Sequence, residues 1–293
     1  MTAALVPDGQ AADVVTLRRL ERAENFPVAL RVLPRRPRRD LRAAYAVARL
    51  IDDVGDDPTA NPPDRLRRLD LVEADLRTAF AGGESTLAAV RGLLPAIHAT
   101  RLPLEAFLGL VDANRLDQTV TRYPTYDDLR DYCRLSADPV GRIVLALFDV
   151  ADTEARRLSD SVCTALQILE HCQDVVEDKR DRDRVYLPLE DLDRFGVAVA
   201  DIETAAGDSG AAERLRTVVR FEADRAAALL QEGRPLVRRL HGAARVAVAG
   251  YVAGGRATLD ALRRADHDVV TATPRPRPVG VARHAFALLV GRP

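Results

Sequence analysis

Two short acidic segments hold the residues of this sequence that are best suited to chemistry, and both place aspartates four residues apart. Residues 50–57 read LIDDVGDD and residues 173–179 read QDVVEDK. The pairs with this spacing are Asp52 and Asp56, Asp53 and Asp57, and Asp174 and Asp178. On a helix each pair lies on one face, and its like charges repel by roughly a few tenths of a kcal/mol. Helices that keep such pairs among apolar residues are therefore expected to bind something positive.

A divalent metal is the ligand that these pairs predict. If the two helices face each other, their carboxylates form an oxygen-rich cage for a hard cation such as Mg²⁺, which prefers carboxylates, waters and phosphates to nitrogen or sulfur ligands. Taken singly, either acidic segment is better explained as a solvated helix end. Two pairs with the same spacing, on otherwise apolar helices, favour the Mg²⁺ site.

Arginines and tyrosines next to the acidic pairs indicate what the metal would hold. Tyr45 and Arg49 in YAVAR precede the first pair at helical spacing, and Arg184 and Tyr186 follow the second pair. Arginine donors that fork onto oxyanions, together with Mg²⁺ on carboxylates, are suited to a diphosphate. A charged site with an apolar bundle interior behind it predicts an isoprenoid diphosphate as the substrate.

Helices must position these residues, because apolar side chains recur at helical spacing along almost the whole sequence. The pattern predicts an all-α protein. Adjacent prolines in DDPTANPP end the helix that carries the first pair. The expected helices cover about 13–24, 38–57, 63–81, 85–100, 103–119, 125–150 with a break at Pro139, 153–180, 211–231, 234–249 and 251–266.

Composition limits the partners and the compartment. The 293 residues include 43 Lys and Arg against 44 Asp and Glu, a balance that argues against nucleic acid as a partner. The N-terminus lacks the regions of a leader peptide, and no apolar run is long enough to span a bilayer, so we expect a cytoplasmic protein. Cys133, Cys163 and Cys172 lack metal-ligand spacing and are expected to be free thiols.

One helical domain is expected over 1–272, followed over 273–293 by a Pro/Arg-rich linker and a short C-terminal segment. The linker reads TATPRPRPVG and the segment after it reads VARHAFALLV. That segment has the length of an amphipathic helix and is too short to span a bilayer. We expect it to pack against the body of the protein, with peripheral membrane contact as the alternative.

Four segments, in this order, carry a family resemblance: ENFPVALRVLP, YAVARLIDDVGDD, YPTYDDLRDYCRLSADPVG and QDVVEDKRDRDRVYLP. They resemble the squalene/phytoene synthase family, and within it the bacterial hydroxysqualene synthase branch. The resemblance implies a class I isoprenoid synthase fold, which is an all-helical bundle with a central apolar cavity. It also implies that Asp52, Asp53 and Asp56 form a first Mg²⁺-binding motif and that Asp174 and Asp178 form a second. The positions that it places at or beside the diphosphate site are Phe26, Tyr45, Arg49, Gln167, Arg184 and Tyr186.

Three positions depart from what relatives commonly show. Glu170 stands where many relatives have Asn, Asp138 stands where the hydroxysqualene branch commonly has Asn, and Asp183 stands where Gly often precedes the RVYLP signature. Glu170 is either an additional metal ligand, a base, or a side chain that points away from the metals. These departures spare the metal-binding aspartates and bear on the acceptor of the prenyl group.

The reaction that the resemblance implies is Mg²⁺-dependent ionisation of a prenyl diphosphate. In the hydroxysqualene branch the substrate is presqualene diphosphate, and water quenches the carbocation without NADPH. Tyr45, Arg49, Glu170 and Tyr186 are the expected catalytic residues. One alternative is transfer of a shorter prenyl group to an aromatic acceptor. Another is a helical binding protein that has lost catalysis, against which the complete aspartate motifs count.

Overall fold

The computed structural model describes residues 32–291, which form α-helices joined mostly by short connections. The helices within this range are α1 (Arg35–Gly55), α2 (Pro62–Phe80), α3 (Ala88–Ala99), α4 (Leu104–Leu116), α5 (Tyr126–Ser136), α6 (Asp138–Leu147), α7 (Thr153–Arg182), α8 (Leu189–Arg194), α9 (Val199–Thr204), α10 (Ser209–Gly233), α11 (Leu236–Arg239), α12 (Gly242–Arg264) and α13 (Pro278–Val290). No β-strand occurs among residues 32–291, so the all-α prediction is confirmed. The helix expected at 13–24, and Phe26, lie outside the described residues.

Local interactions set both ends of α7, the helix that carries the second aspartate pair. Before it, the carboxylate of Asp152 accepts hydrogen bonds from two backbone N–H groups of the first turn, at 3.3 and 3.2 Å. After it, Asp183 adopts a left-handed conformation with φ of 50°, which glycine adopts at the least cost. Ion pairs from Asp183 to Lys179 at 2.9 Å and to Arg122 at 2.6 Å hold this turn without a glycine.

The helix boundaries differ from the prediction in the C-terminal third. The helices expected at 234–249 and 251–266 are instead the short α11 and a continuous α12. The predicted break fell at Gly250, but Gly250 is buried inside α12. Small residues on α12 allow close packing, since a Cβ at Gly255 would lie 2.7 Å from Cδ2 of Leu166. The chain turns at Gly242 instead, where φ is +53°. The short helices α8 and α9 were not predicted.

Two hydrophobic clusters form the core, and a cavity lies where they meet. The first fills the space among α1, α2, α3 and α4 and one side of α6, with Phe107 fully buried. The second surrounds α7, with Ile168 fully buried. α7 packs along α10 and also contacts α5, α6 and α12. It is therefore the helix against which most of the C-terminal half is assembled.

The C-terminal segment forms α13, which packs along α12. Leu288 is its buried anchor, at 5% exposure. Among the described residues, none of the helices is both long and apolar enough to cross a membrane.

We expect Gly233→Ala to lower the free energy of unfolding by about 1–3 kcal/mol, because it overpacks the contact between α10 and α7. A Cβ at Gly233 would approach the backbone oxygen of Leu158 to 2.8 Å and Cγ2 of Val162 to 2.5 Å. Gly92→Ala on α3 is the matched control, since a Cβ there meets nothing within 4 Å. It should raise stability by about 0.5–1 kcal/mol through helix propensity. Urea unfolding measures both variants, and a Gly233→Ala protein as stable as wild type would contradict the close helix contact.

Candidate active site

A cavity of about 380 Å³ opens between α1 and α7, with further walls from α4, α5, α6 and α12. The predicted residues that line it are Tyr45, Arg49, Asp52, Asp56, Gln167, Glu170, Asp174, Asp178, Arg184 and Tyr186. Asp53 is not among the lining residues, and Phe26 lies outside the described ones. The structure thus brings the aspartates of two helices that are distant in sequence to one cavity.

On the α1 side, Asp52 and Arg49 are held in different ways. Asp52 accepts a hydrogen bond from Nδ2 of Asn114 on α4 at 3.1 Å. Arg49 forms an ion pair with Asp53, with 2.7 Å between its NH2 and Oδ1 of Asp53. The Nε–H of Arg49 is buried and has no hydrogen-bond partner among the described residues. The α1 wall therefore offers an oriented carboxylate and a guanidinium with one donor to spare.

Two arginines link the aspartates across the cavity. Arg182, at the end of α7, lies 3.2 Å from Asp178 and 3.5 Å from Asp56. Arg184 is buried, and its NH1 donates to Oδ1 of Asp56 at 2.7 Å. Asp56, directly after α1, and Asp178 on α7 thus share the guanidinium of Arg182, which reduces their mutual repulsion.

Two aspartates of the cavity, Asp52 on α1 and Asp178 on α7, have raised pKa values. Loss of surrounding water raises the pKa of Asp52 to about 7 and that of Asp178 to about 7, and nearby aspartates add to both shifts. The hydrogen bond from Asn114 and the charge of Arg49 oppose the rise at Asp52 without cancelling it. Negative charge at this end of the cavity is costly, and a bound cation would stabilise it.

Within residues 32–291, no three His, Cys, Asp or Glu side chains converge into a ready-made metal cluster. The aspartates lie on two helices, and arginines separate some of them. This arrangement fits Mg²⁺, which in proteins is usually bound by one or two carboxylates while waters and substrate phosphates complete its octahedron. The residues that could hold it are Asp52 and Asp56 on α1 and Asp174 and Asp178 on α7.

A cluster of aromatic rings forms the wall beside the aspartates. Asp117 accepts hydrogen bonds from the hydroxyls of Tyr132 at 2.9 Å and Tyr186 at 3.1 Å, and burial raises the pKa of Asp117 to about 6. The ring of Tyr186 stacks on His171 with 3.9 Å between centroids. Burial lowers the pKa of His171 to about 3, so this ring is neutral at pH 7. Nε2 of His171 lies 3.3 Å from Nε2 of Gln167. These contacts fix the phenol of Tyr186 in the cavity wall.

The rest of the lining is largely apolar. Leu41, Leu110 and Ile143 face this part of the cavity. Val144 and Tyr251 also border a second, small pocket of about 40 Å³ that is lined mostly by apolar side chains. The predicted central cavity is therefore present, with an apolar part and a charged end.

Similar proteins identify the family of this chain. The squalene/phytoene synthase family model matches residues 20–283. The chain belongs to this family. Hydroxysqualene synthase from Sinorhizobium fredii is 35% identical over 223 residues, which are 75% of this chain and 73% of the relative. Phytoene synthase from Mycobacterium tuberculosis is 34% identical over 218 residues, 74% of this chain and 70% of that one.

A solved structure supports the fold as well as the sequence relationship. The crystal structure of squalene synthase HpnC from Alicyclobacillus acidocaldarius matches with a TM-score of 0.74 at 41% identity, covering 87% of this chain and 94% of that chain. The predicted isoprenoid synthase fold is confirmed. As a member of the squalene/phytoene synthase family, the chain is a prenyl-transferring enzyme, which removes the alternative of a non-catalytic binding protein.

The three departures from the family pattern lie in different places. Glu170 lines the cavity. Asp138 is buried outside the lining, where its Oδ1 accepts a hydrogen bond from Thr164 at 3.1 Å. Asp183 ends α7, away from the cavity lining. Only Glu170 changes the functional groups that a ligand in the cavity would meet.

Several polar lining residues were missed from the sequence: Asn114, Asp117, Tyr132, His171 and Arg182. Arg182 had a local signal, because it lies four residues after Asp178. A glycine at position 55 indicates that another group packs closely against α1, and in the structure this group is the side chain of Asn114. Asp117 had no local signal, since only the packing of α4 beside the tyrosines makes it part of the site.

We expect His171→Phe to make the protein less sensitive to acid. The unfolded chain takes up a proton on this ring as pH falls below 6.5, whereas in the folded state the pKa is about 3. The stability that the neutral His171 ring contributes is therefore fully present above pH 6.5 and is lost as the pH falls below that value. Between pH 7 and pH 5, wild type should lose about 2 kcal/mol more than His171→Phe, which keeps a ring stacked on Tyr186.

Urea unfolding at the two pH values measures this difference. His98→Phe, at an exposed position, is the matched control and should lose as much stability as wild type. Equal losses in wild type and His171→Phe would show that the ring is not held neutral by burial.

Proposed function

We propose that this enzyme ionises an allylic prenyl diphosphate in a Mg²⁺-dependent reaction, as in a hydroxysqualene synthase. Presqualene diphosphate and water would give hydroxysqualene and diphosphate. The observation that supports this proposal is the division of one cavity into an end with aspartates and arginines and a part with apolar side chains. A substrate with a charged head and a long apolar tail matches both parts.

The metal would be held by Asp52 and Asp56 on one wall and by Asp174 and Asp178 on the other. When bound, Mg²⁺ neutralises charge on the diphosphate and so makes it a better leaving group. The raised pKa values of Asp52 and Asp178 support this assignment, because a cation between the walls removes the cost of their ionised forms.

Arg49 and Arg184 are the donors best placed for the diphosphate. The buried Nε–H of Arg49 lacks an acceptor, so a phosphate oxygen at this atom would satisfy an unpaired donor. Arg184 adds a guanidinium that is buried beside Asp56. As the C–O bond breaks, both guanidiniums stabilise the negative charge that grows on the leaving group.

The apolar lining would keep water from the carbocation until the intended acceptor reaches it. Leu110 and Ile143 carry no nucleophile. The ring of Tyr45 can stabilise positive charge through its π electrons. In the final step the oxygen of one water attacks the carbocation and loses a proton. Glu170 is a carboxylate in the same cavity that can accept this proton.

The acceptor could also be an aromatic ring. Relatives of nearly equal identity are named for hydroxysqualene and for phytoene, so identity alone does not select the product. After a shorter prenyl group is attached, an aromatic ring must lose a proton. Glu170 is a carboxylate in the cavity that could accept this proton, which favours the aromatic acceptor as the second candidate function.

Product analysis separates these reactions. The purified protein is incubated with Mg²⁺ and either presqualene diphosphate, farnesyl diphosphate, or farnesyl diphosphate plus a panel of phenols and indoles, and the products are identified by mass spectrometry. Hydroxysqualene from the first incubation supports the main proposal. A prenylated ring in the third incubation alone supports the alternative, and diphosphate release in none of them contradicts both.

We expect Asp52→Ala and Asp174→Ala each to lower turnover by about 100-fold or more, because each removes charge stabilisation at the leaving group. The helical circular dichroism signal should not change. Asp131→Ala is the control, since Asp131 is an exposed aspartate on α5 paired with Arg134. Asp53→Ala tests whether the aspartate of the motif that lies outside the cavity lining is a ligand or only the partner of Arg49. Full turnover of Asp52→Ala, or of wild type in excess EDTA, would refute the metal assignment.

Glu170→Asn distinguishes three roles of the departure that lies in the cavity. If Glu170 binds metal, the variant stays active with a changed Mg²⁺ requirement. If Glu170 is a base, the variant binds metal and releases diphosphate but forms altered products. Mg²⁺ titration and product profile are measured on the same preparation. Wild-type behaviour in both measurements would mean that Glu170 touches neither the metal nor the reacting groups.

A further inference from the structure

Among residues 32–291, the outer face of α13 carries exposed apolar side chains. Val279, Phe286 and Val290 are 75%, 67% and 60% exposed. Spacings of seven and four residues place them within about 40° of one another around the helix axis. Leu288, which is buried, lies on the opposite side of the helix. α13 therefore has two apolar faces, one packed on the protein and one in solvent.

This exposure is concentrated on α13. The exposed large hydrophobic side chains among the described residues are Val32, Leu71, Val140, Val279, Phe286 and Val290. Half of them fall on one face of this single helix. Scattered exposed residues need no explanation, whereas a contiguous apolar patch indicates an interaction site.

Arginines surround this face. Arg263 and Arg264 from the last turn of α12 line a groove beside Val279, together with Arg277 and Arg283. The acidic residue among the described lining residues is Asp260, which is already paired with Arg283 and His284, each at 2.8 Å. Within residues 32–291, no ion pair is formed by Arg264 or Arg277. The patch is therefore positively charged as well as apolar.

We propose that α13 docks on the surface of a bilayer that contains anionic lipids. Val279, Phe286 and Val290 would enter the boundary of the acyl chains, and the arginines would lie at the level of the lipid phosphates. An apolar helical stripe flanked by arginines is the composition of helices that lie in the membrane interface. Each such arginine favours an anionic surface through charge complementarity. At 13 residues, α13 is about 20 Å long, which allows it to lie on a bilayer and not to cross it.

The segment before α13 connects this surface to the cavity. Gln173 on α7 donates a hydrogen bond to the backbone oxygen of Pro274. Gln173 directly precedes Asp174, so the segment that contains Pro274 lies beside the second aspartate pair. The docking surface therefore begins a few residues from the charged end of the cavity. The proposal itself does not depend on the reaction that occurs there.

A tryptophan reporter tests the docking directly, because the chain contains no tryptophan. Phe286→Trp should show a blue-shifted emission and protection from acrylamide with vesicles of equimolar phosphatidylcholine and phosphatidylglycerol, and much less of both with phosphatidylcholine alone. Leu71→Trp on α2 is the matched control, since Leu71 is also exposed, at 44%. Its emission should not change.

Charge and apolar contributions are separated by flotation with the same vesicles. Arg264→Gln together with Arg277→Gln should weaken binding about 30-fold, as expected for the loss of two arginines at an anionic surface. Arg67→Gln with Arg77→Gln on α2 is the control pair and should leave binding unchanged. The double variant Phe286→Ser with Val290→Ser removes the apolar contribution and should abolish flotation. Asp52→Ala should bind vesicles like wild type, which keeps this test independent of the reaction.

Three results would overturn the proposal. The first is unchanged emission of Phe286→Trp in anionic vesicles. The second is the same spectral change with inorganic diphosphate and no vesicles, which would indicate a local anion site. The third is a blue shift that grows with protein concentration in the absence of lipid, which would indicate that a second copy of the chain covers α13.

Discussion

Acidic side chains from the ends of α1 and α7 approach one another at one end of the cavity, and the arrangement of the neighbouring arginines and helices is tied to this approach. Carboxylates that come close repel one another, and the repulsion is stronger where water is partly excluded. Arg182 and Arg184 reduce it by pairing with Asp56 and Asp178. The aspartates of the two walls and these arginines therefore form one network of charges.

Helix packing converts this local balance into a defined cavity. α7 is anchored by its N-cap, by the left-handed turn at Asp183 and by close contact with α10 at Gly233. On the other wall, Gly55 allows α1 to approach Asn114, which orients Asp52. Positions with no side chain thus determine how near the functional side chains come to one another.

The features that the sequence predicts well are those set by spacing along one helix. The all-α class, the helices that carry the aspartate pairs and the side chains on their inner faces all follow from periodicity of this kind. Asp53 follows Asp52 in the same motif, but a rotation of about 100° per residue places it outside the cavity lining, where it pairs with Arg49. Its role as a metal ligand stays a prediction.

Contacts between helices account for what was not predicted. Asn114 and Asp117 enter the site from α4, and nothing in their local sequence indicates the direction in which α4 packs. The helices expected at 234–249 and 251–266 leave a break at Gly250, whereas in α12 this glycine is a small residue in a buried helix. In a sequence, a glycine is compatible with a helix break and with close packing between helices. Only the position of the neighbouring helix decides between the two.

The arginines that stabilise the site without a ligand are also the groups that a diphosphate would need. Arg182 now contacts aspartates of both walls. A metal at those aspartates would take over the role of the guanidinium, and the released donors would then face the phosphate oxygens that arrive with the metal. Each charge would exchange one partner for another, so every charge would keep a partner of opposite sign during binding. Metal and diphosphate would therefore enter a site whose charged groups are already held in place in the folded protein.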